Sequence, residues 1–163
     1  MILDDEVFAV IMAIVIIGSV LGVISIIGVS SGERFTAIGL LNEECKIGSY
    51  PAQVNIGSNL TLCLYVYNHM DRPIYYKIIY KVGSNNTLPT NTSPSPEPVI
   101  DSWRGLLNNN ENLTMKVEIP VRIVGNVSSS RVALIFELWI YDIDSGNWIY
   151  TGRWVHLYVS LTR

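Results

Sequence analysis

A chain of 163 residues has room for one folded domain, since domains usually run to about 100–150 residues. Apolar residues make up 49% of it and charged residues 15%, a balance that leaves too little polar surface for an ordinary soluble protein. The 11 Lys and Arg stand against 14 Asp and Glu, and with three of those acids at Asp4, Asp5 and Glu6 the rest of the chain carries eleven charges of each sign; this excludes the clustered positive charge of a nucleic-acid binder or a polybasic membrane-surface patch.

Residues 1–6 read as a short cytoplasmic N-terminus. Residues 7–29 follow without a single charge, and at about 1.5 Å per residue such a run covers the roughly 30 Å of a bilayer's hydrocarbon core. A transmembrane helix is expected there, apolar on every face. No basic residue precedes it and it is longer than the apolar run of a secretory signal, so the expectation is an uncleaved anchor. Gly18 and Gly22 form a Gly-x-x-x-Gly pair of the kind that lets helices pack closely in lipid.

Residues 30–34 read as a linker to an extracytoplasmic domain over 35–163. From Phe35 onward the pattern alternates with period two, which means strands. Leu60, Leu62, Leu64 and Val66 share one face; Ile74, Tyr76, Ile78, Tyr80 and Val82 another. The stretch 83–101 holds four of the seven prolines and reads as an extended surface loop. Leu113, Met115, Val117 and Ile119 form the clearest apolar-in row, ended by Pro120. Val132, Leu134, Phe136, Leu138 and Ile140 form the next and Val155, Leu157, Val159 and Leu161 the last, with a hairpin loop over 142–147 between them. Adding weaker candidates near Gln53 and Trp103 gives about seven strands, which predicts an antiparallel β-sandwich of immunoglobulin-like type.

Two signals bear on orientation. Arg34 alone, just after the helix, would draw the domain towards the cytoplasm. Five Asn-x-Ser/Thr acceptor patterns, at Asn59, Asn85, Asn91, Asn112 and Asn126, all lie beyond the helix, where this composition would give about two by chance; they favour an external, N-glycosylated domain. Cys45 and Cys63 both lie in that domain and fit one disulfide, which such a loop would make worth about 3 kcal/mol.

Catalytic chemistry finds little to work with. His69 sits in a polar turn and His156 between Trp154 and Tyr158, neither in a recognisable motif. Asp142, Asp144 and Gly146 mimic the opening of a calcium loop, but Arg153 stands where the bidentate Glu is needed. Two cysteines without nearby His make no zinc site, and no phosphate-binding loop follows a strand; no cofactor, no metal and no enzyme are expected. Trp139, Tyr141, Trp154, His156 and Tyr158 project opposite to the core rows and predict one aromatic contact surface for a protein partner or sugar rings.

The run from Phe35 to Leu41, Ile47-Gly48-Ser49-Tyr50-Pro51, Ile56-Gly57 and Leu64-Tyr65-Val66-Tyr67-Asn68-His69, followed by Tyr75-Tyr76, resembles an archaeal domain-of-unknown-function family, number sixteen-sixteen, over about residues 35–160. The resemblance implies a membrane-adjoining external β domain on an archaeal surface and carries no activity. The expected role is an accessory or structural subunit of a membrane assembly, its partners the bilayer, other membrane subunits and N-linked glycans. A pilin-like filament subunit and a glycan-binding module are the alternatives.

Overall fold

The computed structural model describes residues 5–27, 33–122 and 131–162, with helix side chains at 7–20 and 22. It divides into two units, residues 1–33 and 34–163.

The first unit is α1, Asp5–Ile27. It opens two residues before the apolar run, because a helix starts where its hydrogen-bonding begins and not where hydropathy changes. No polar stripe runs along it. Its Ser19 hydroxyl donates to the Ile16 carbonyl at 2.9 Å, so that polar group is satisfied within the helix. Among the fully described residues no helix is long and apolar enough to cross a membrane.

The second unit is all-β and builds two sheets. Its strands are β1 (Phe35–Leu41), β2 (Gln53–Asn55), β3 (Asn59–His69), β4 (Ile74–Gly83), β5 (Asp101–Leu107), β6 (Asn112–Pro120), β7 (Arg131–Asp142) and β8 (Asn147–Thr162). One sheet has the order β1-β3-β6, the other β2-β8-β7-β4-β5. All pairings are antiparallel except β2 with β8. Eight strands replace the expected seven or so.

The period-two rows meet between the sheets as the alternation requires. Leu62, Leu64 and Val66 face Ile74, Tyr76, Ile78, Tyr80 and Val82, with Val132, Leu134, Phe136 and Leu138 beside them, all buried. The Tyr80 and Phe136 rings stack at 5.1 Å, and Tyr80 donates to the Pro120 carbonyl across the core. Burial raises the Tyr80 phenol well above its ordinary pKa. Cys45 and Cys63 are disulfide-bonded, Cα atoms 5.1 Å apart.

The two ends of the sandwich differ. At the end where β1 begins, three four-residue turns, 70–73, 108–111 and 143–146, close the sheets. Buried Asn68 ties two of them: its amide donates to the carbonyls of Arg72, Leu107 and Asn108, and its oxygen accepts from the Met70 N–H. Gly146, at φ 66°, supplies the left-handed residue the β7–β8 turn needs. The longer connections gather at the opposite end.

One expectation needs correcting. The stretch over 83–101 is no free surface loop: β4 continues to Gly83, a 3-10 turn forms over Asn85–Thr87, and Pro89 and Ser95 are buried. The reason is a charge pair invisible in the hydropathy pattern. Glu137 of β7 is 0% exposed and Lys81 of β4 5%, their charged groups 3.1 Å apart. The Ser95 N–H donates to Glu137 at 2.6 Å and Lys81 donates to the Ser95 carbonyl at 2.6 Å. A segment that satisfies a buried ion pair has to dock, because an unpaired buried charge is far costlier than an ordered loop. The insert 84–100 is therefore laid on the outer face of the five-stranded sheet.

Candidate functional site

Trp139, Tyr141, Trp154, His156 and Tyr158 do not form the single aromatic surface expected of them: their rings fall into two separate groups. After Trp154 pairs with Glu137, the β7–β8 register shifts between Leu138 and Trp139, and Thr151 and Gly152 bulge out of β8. Gly152 takes φ 72°, and any Cβ there would collide with the Asn91 carbonyl of the insert. Tyr150 donates to the Thr90 carbonyl at 2.9 Å and Tyr158 to the Asn85 side chain at 2.7 Å. The insert and the bulge thus separate Trp154, His156 and Tyr158 from Trp139 and Tyr141.

Trp154, His156 and Tyr158 form a half-buried ladder, with ring centroids 5.3 and 4.7 Å apart. Burial lowers the His156 pKa. His69, the last residue of β3, lies against Phe35 and Tyr67 and hydrogen-bonds Asn110.

Trp139 and Tyr141 belong to a different group, which the sequence rows did not assemble. Tyr141 meets Trp148 at 5.5 Å, Tyr75 meets Trp148 at 5.1 Å, and Trp139 meets Tyr150 at 5.4 Å. Lys77 places its Nζ 4.4 Å from the Trp148 ring and 5.7 Å from Trp139, with the Arg104 guanidinium 5.8 Å from Trp148. These are cation–π distances. Burial, then the charge of Arg104, lowers the Lys77 pKa. The Trp139 indole N–H donates to Glu137 at 3.2 Å, so the same carboxylate that docks the insert fixes this ring. Burial and the charge of Glu137 push the Tyr150 phenol up to about 12.

Tyr75, Lys77, Arg104, Trp148 and Tyr150 were missed because they come from three strands whose pairing no single-strand pattern reveals. The outward phase of Tyr75 and Lys77 was legible, since they alternate with core residues Ile74, Tyr76 and Ile78 of β4.

A second feature is the seam between β1 and β8. Cavities of about 390 and 500 Å³ lie along it, the first lined by Phe35, Ile38, Gly152 and Trp154 among others, the second by Leu40, Tyr50 and Leu157 among others. β1 pairs only with β3, and β8 pairs with β2 only at 160–162, so both strands present free edges there.

Of the expected acceptor asparagines, Asn59, Asn85, Asn91 and Asn112 are exposed, and Asn126 lies outside the described residues. Gly18 and Gly22 have open space around them. Among the described residues no group of three or more His, Cys, Asp or Glu is placed to hold a metal ion.

No protein-family model matches the chain, and no curated protein does, so the archaeal family resemblance rests on the quoted residues alone. Among solved structures, the chain is similar to the alkylpurine DNA glycosylase AlkC of Pseudomonas fluorescens, with TM-score 0.47 and 12% identity over 78% of this chain and 30% of that one. It is similar to Spo0M, a sporulation control protein of Bacillus subtilis, with TM-score 0.47 and 11% identity over 79% and 50%. It is also similar to the CARDB domain of the PF1109 protein of Pyrococcus furiosus, with TM-score 0.44 and 8% identity over 79% and 89%. The chain spans half or less of the first two. Likenesses this distant say nothing of what the chain binds or does.

Proposed function

We propose that the chain is a membrane-anchored accessory or structural subunit whose external immunoglobulin-like domain makes protein contacts. The observation that carries this is the ring cluster of Tyr75, Trp139, Tyr141 and Trp148 with Lys77 and Arg104. Every member sits on a strand of a packed sheet, so a partner would meet a stiff amphipathic surface whose order is already supplied by the fold. Trp, Tyr and Arg are the residues that dominate contact energies.

The finer fold and the anchor belong to the same reading. The order β1-β3-β6 against β8-β7-β4-β5 matches the A-B-E and G-F-C arrangement of immunoglobulin-like sandwiches with an added strand beside C. What supports the anchor is the sequence itself, 23 residues over 7–29 without a charge, a run that as a helix would measure about 34 Å against the roughly 30 Å of a hydrocarbon core. The exposed acceptor asparagines and the disulfide support an external domain on an archaeal surface, and open Gly18 and Gly22 leave α1 free to pack on a partner helix.

The test is native separation of mildly solubilised membranes with mass spectrometry of whatever co-migrates. Wild type is expected to migrate at fixed ratio with other membrane subunits, and Trp148→Ala with Lys77→Ala to lose them while the domain stays folded. Migration alone would refute the reading. The free β1 and β8 edges favour one alternative, a filament in which an extended segment of a neighbouring copy pairs along the seam; ladders of homopolymer would identify it. Glycan binding by the cluster is less favoured, since Lys77 already occupies the Trp148 ring.

A further inference from the structure

We infer that Lys77 and Arg104 form a carboxylate-recognition site, which takes an acidic side chain from an extended segment of a partner protein that carries an apolar residue two positions from the acid. The inference rests on the protein-contact reading above and names the chemistry of that contact.

Lys77 and Arg104 are a pairing that the fold alone would disfavour. They stand directly opposite each other in the antiparallel register of β4 and β5, which sets their Cβ atoms about 5 Å apart on one face of the sheet. Like charges so placed destabilise a sheet. No acid relieves them, since the ion pairs among the described residues are Arg34 with Asp71, Lys46 with Glu44 and Lys81 with Glu137. Glu137 lies two positions along β7 from the Trp139 that faces Lys77, but it is committed to Lys81, Ser95 and the Trp139 indole. Burial first, and then the charge of Arg104, lowers the Lys77 pKa, the direction that a neighbouring cation imposes.

The rings hold this pair without neutralising it. Both cations gather about one indole, Lys77 Nζ at 4.4 Å and the Arg104 guanidinium at 5.8 Å from the Trp148 ring centre. A ring attracts a cation through its quadrupole and carries no net charge, so the positive field remains for a ligand. A carboxylate has two oxygens with which to accept from the ammonium and the guanidinium at once. Donors already held in place also reduce the ordering cost of binding.

The neighbouring residues say what accompanies the acid. The next pair along the same face is Tyr75 with Leu106, 42% and 66% exposed. It lies two residues, about 7 Å, from the cationic pair. An extended partner segment has the same repeat, so an acid set between Lys77 and Arg104 lays the side chain two positions away over Tyr75 and Leu106. Two cations on a domain of balanced charge suit one carboxylate and not a polyanion, which needs a longer run of positive charge.

The experiment treats mildly solubilised membranes holding the full chain with a zero-length carbodiimide coupler, before native separation and mass spectrometry. The coupler joins a carboxylate to an amine with loss of water, so Lys77 reports its own partner. The expected result is an amide between Lys77 and an Asp or Glu of a co-migrating subunit, with an apolar residue two positions from that acid. Lys77→Glu and Arg104→Glu should each lower the recovery of that subunit about tenfold or more. Each turns the like-charge pair into an opposite one, so its urea midpoint should hold or rise, which separates lost recognition from lost folding. The crosslink itself needs no variant. Subunits that co-migrate while Lys77 stays unlinked, or that are retained by both charge-reversed variants, would overturn the inference and leave the protein-contact reading standing. A link from Lys77 to a sugar acid, to a second copy of this chain, or to an acid without the apolar neighbour would overturn it as well. Migration of the wild type alone would overturn both.

Discussion

Replacing Glu137 by Ala removes the acceptor on which the insert is organised. The carboxylate binds the Lys81 ammonium at 3.1 Å, the Ser95 N–H at 2.6 Å and the Trp139 indole N–H at 3.2 Å. Without it Lys81 keeps only the Ser95 carbonyl, while its charge stays buried. Breaking a buried pair by removing one partner costs about 3–5 kcal/mol, a large share of the roughly 5–15 kcal/mol that stabilises a domain. The insert has an escape open to it, because letting 84–100 lift off would hydrate Lys81. Two readouts therefore separate the outcomes. Urea unfolding followed by Trp fluorescence should show a loss of about 3 kcal/mol or more, and limited proteolysis should cut the variant within 84–100 where wild type resists. Lys81→Met with Glu137→Gln, which removes both charges, should cost clearly less than Glu137→Ala alone, since no bare ion is left. A loss under about 1 kcal/mol for Glu137→Ala, or strict additivity in the double variant, would refute the view that this ion pair docks the insert.

Gly152→Ala should detach the same insert from the other side, since φ 72° and the Asn91 carbonyl both exclude a side chain; about 1–3 kcal/mol in urea unfolding and new cleavage within 84–100 are expected. Reducing the Cys45–Cys63 bond, which closes a separation of 18 residues, should lower stability by about 3 kcal/mol in the chain-entropy model; an unchanged urea midpoint in reductant would oppose that. His156 titrates near 6.5 in the unfolded chain and lower in the folded one, so below about pH 6.5 the unfolded state binds more protons and stability falls with acidification. His156→Gln should flatten that part of the stability–pH curve, and a curve identical to wild type would remove His156 as its source.

Much of the sandwich was legible because period-two alternation is a direct record of which side faces the core. The rows 74–82 and 132–138 are buried residue by residue as written. What alternation could not show is pairing. Tyr75 and Trp148 lie 73 positions apart, and only the order of β4, β7 and β8 brings their rings together. Nor does it show what covers an outer face. Glu137 falls in the outward phase of β7 and reads as solvated, yet among the described residues it is the most deeply buried charge. The available signal was its setting, one carboxylate within the otherwise apolar row 132–140, with Lys81 in the same phase of a strand equally rich in apolar residues. The Pro-rich composition of 84–100 misled for a related reason: proline favours extended chain, and extended chain can lie along a sheet as readily as in water.

The division of the aromatic face follows from this one buried charge pair. Glu137 holds the insert through Ser95, and the insert in turn engages Tyr150 and Tyr158 and fills the space over Gly152. The ladder of Trp154, His156 and Tyr158 is left half-buried beside it. Glu137 also holds the Trp139 indole, and Lys77 and Arg104 complete the cluster that this ring shares with Trp148. A partner docking on that cluster would meet the part of the sheet that the insert does not cover.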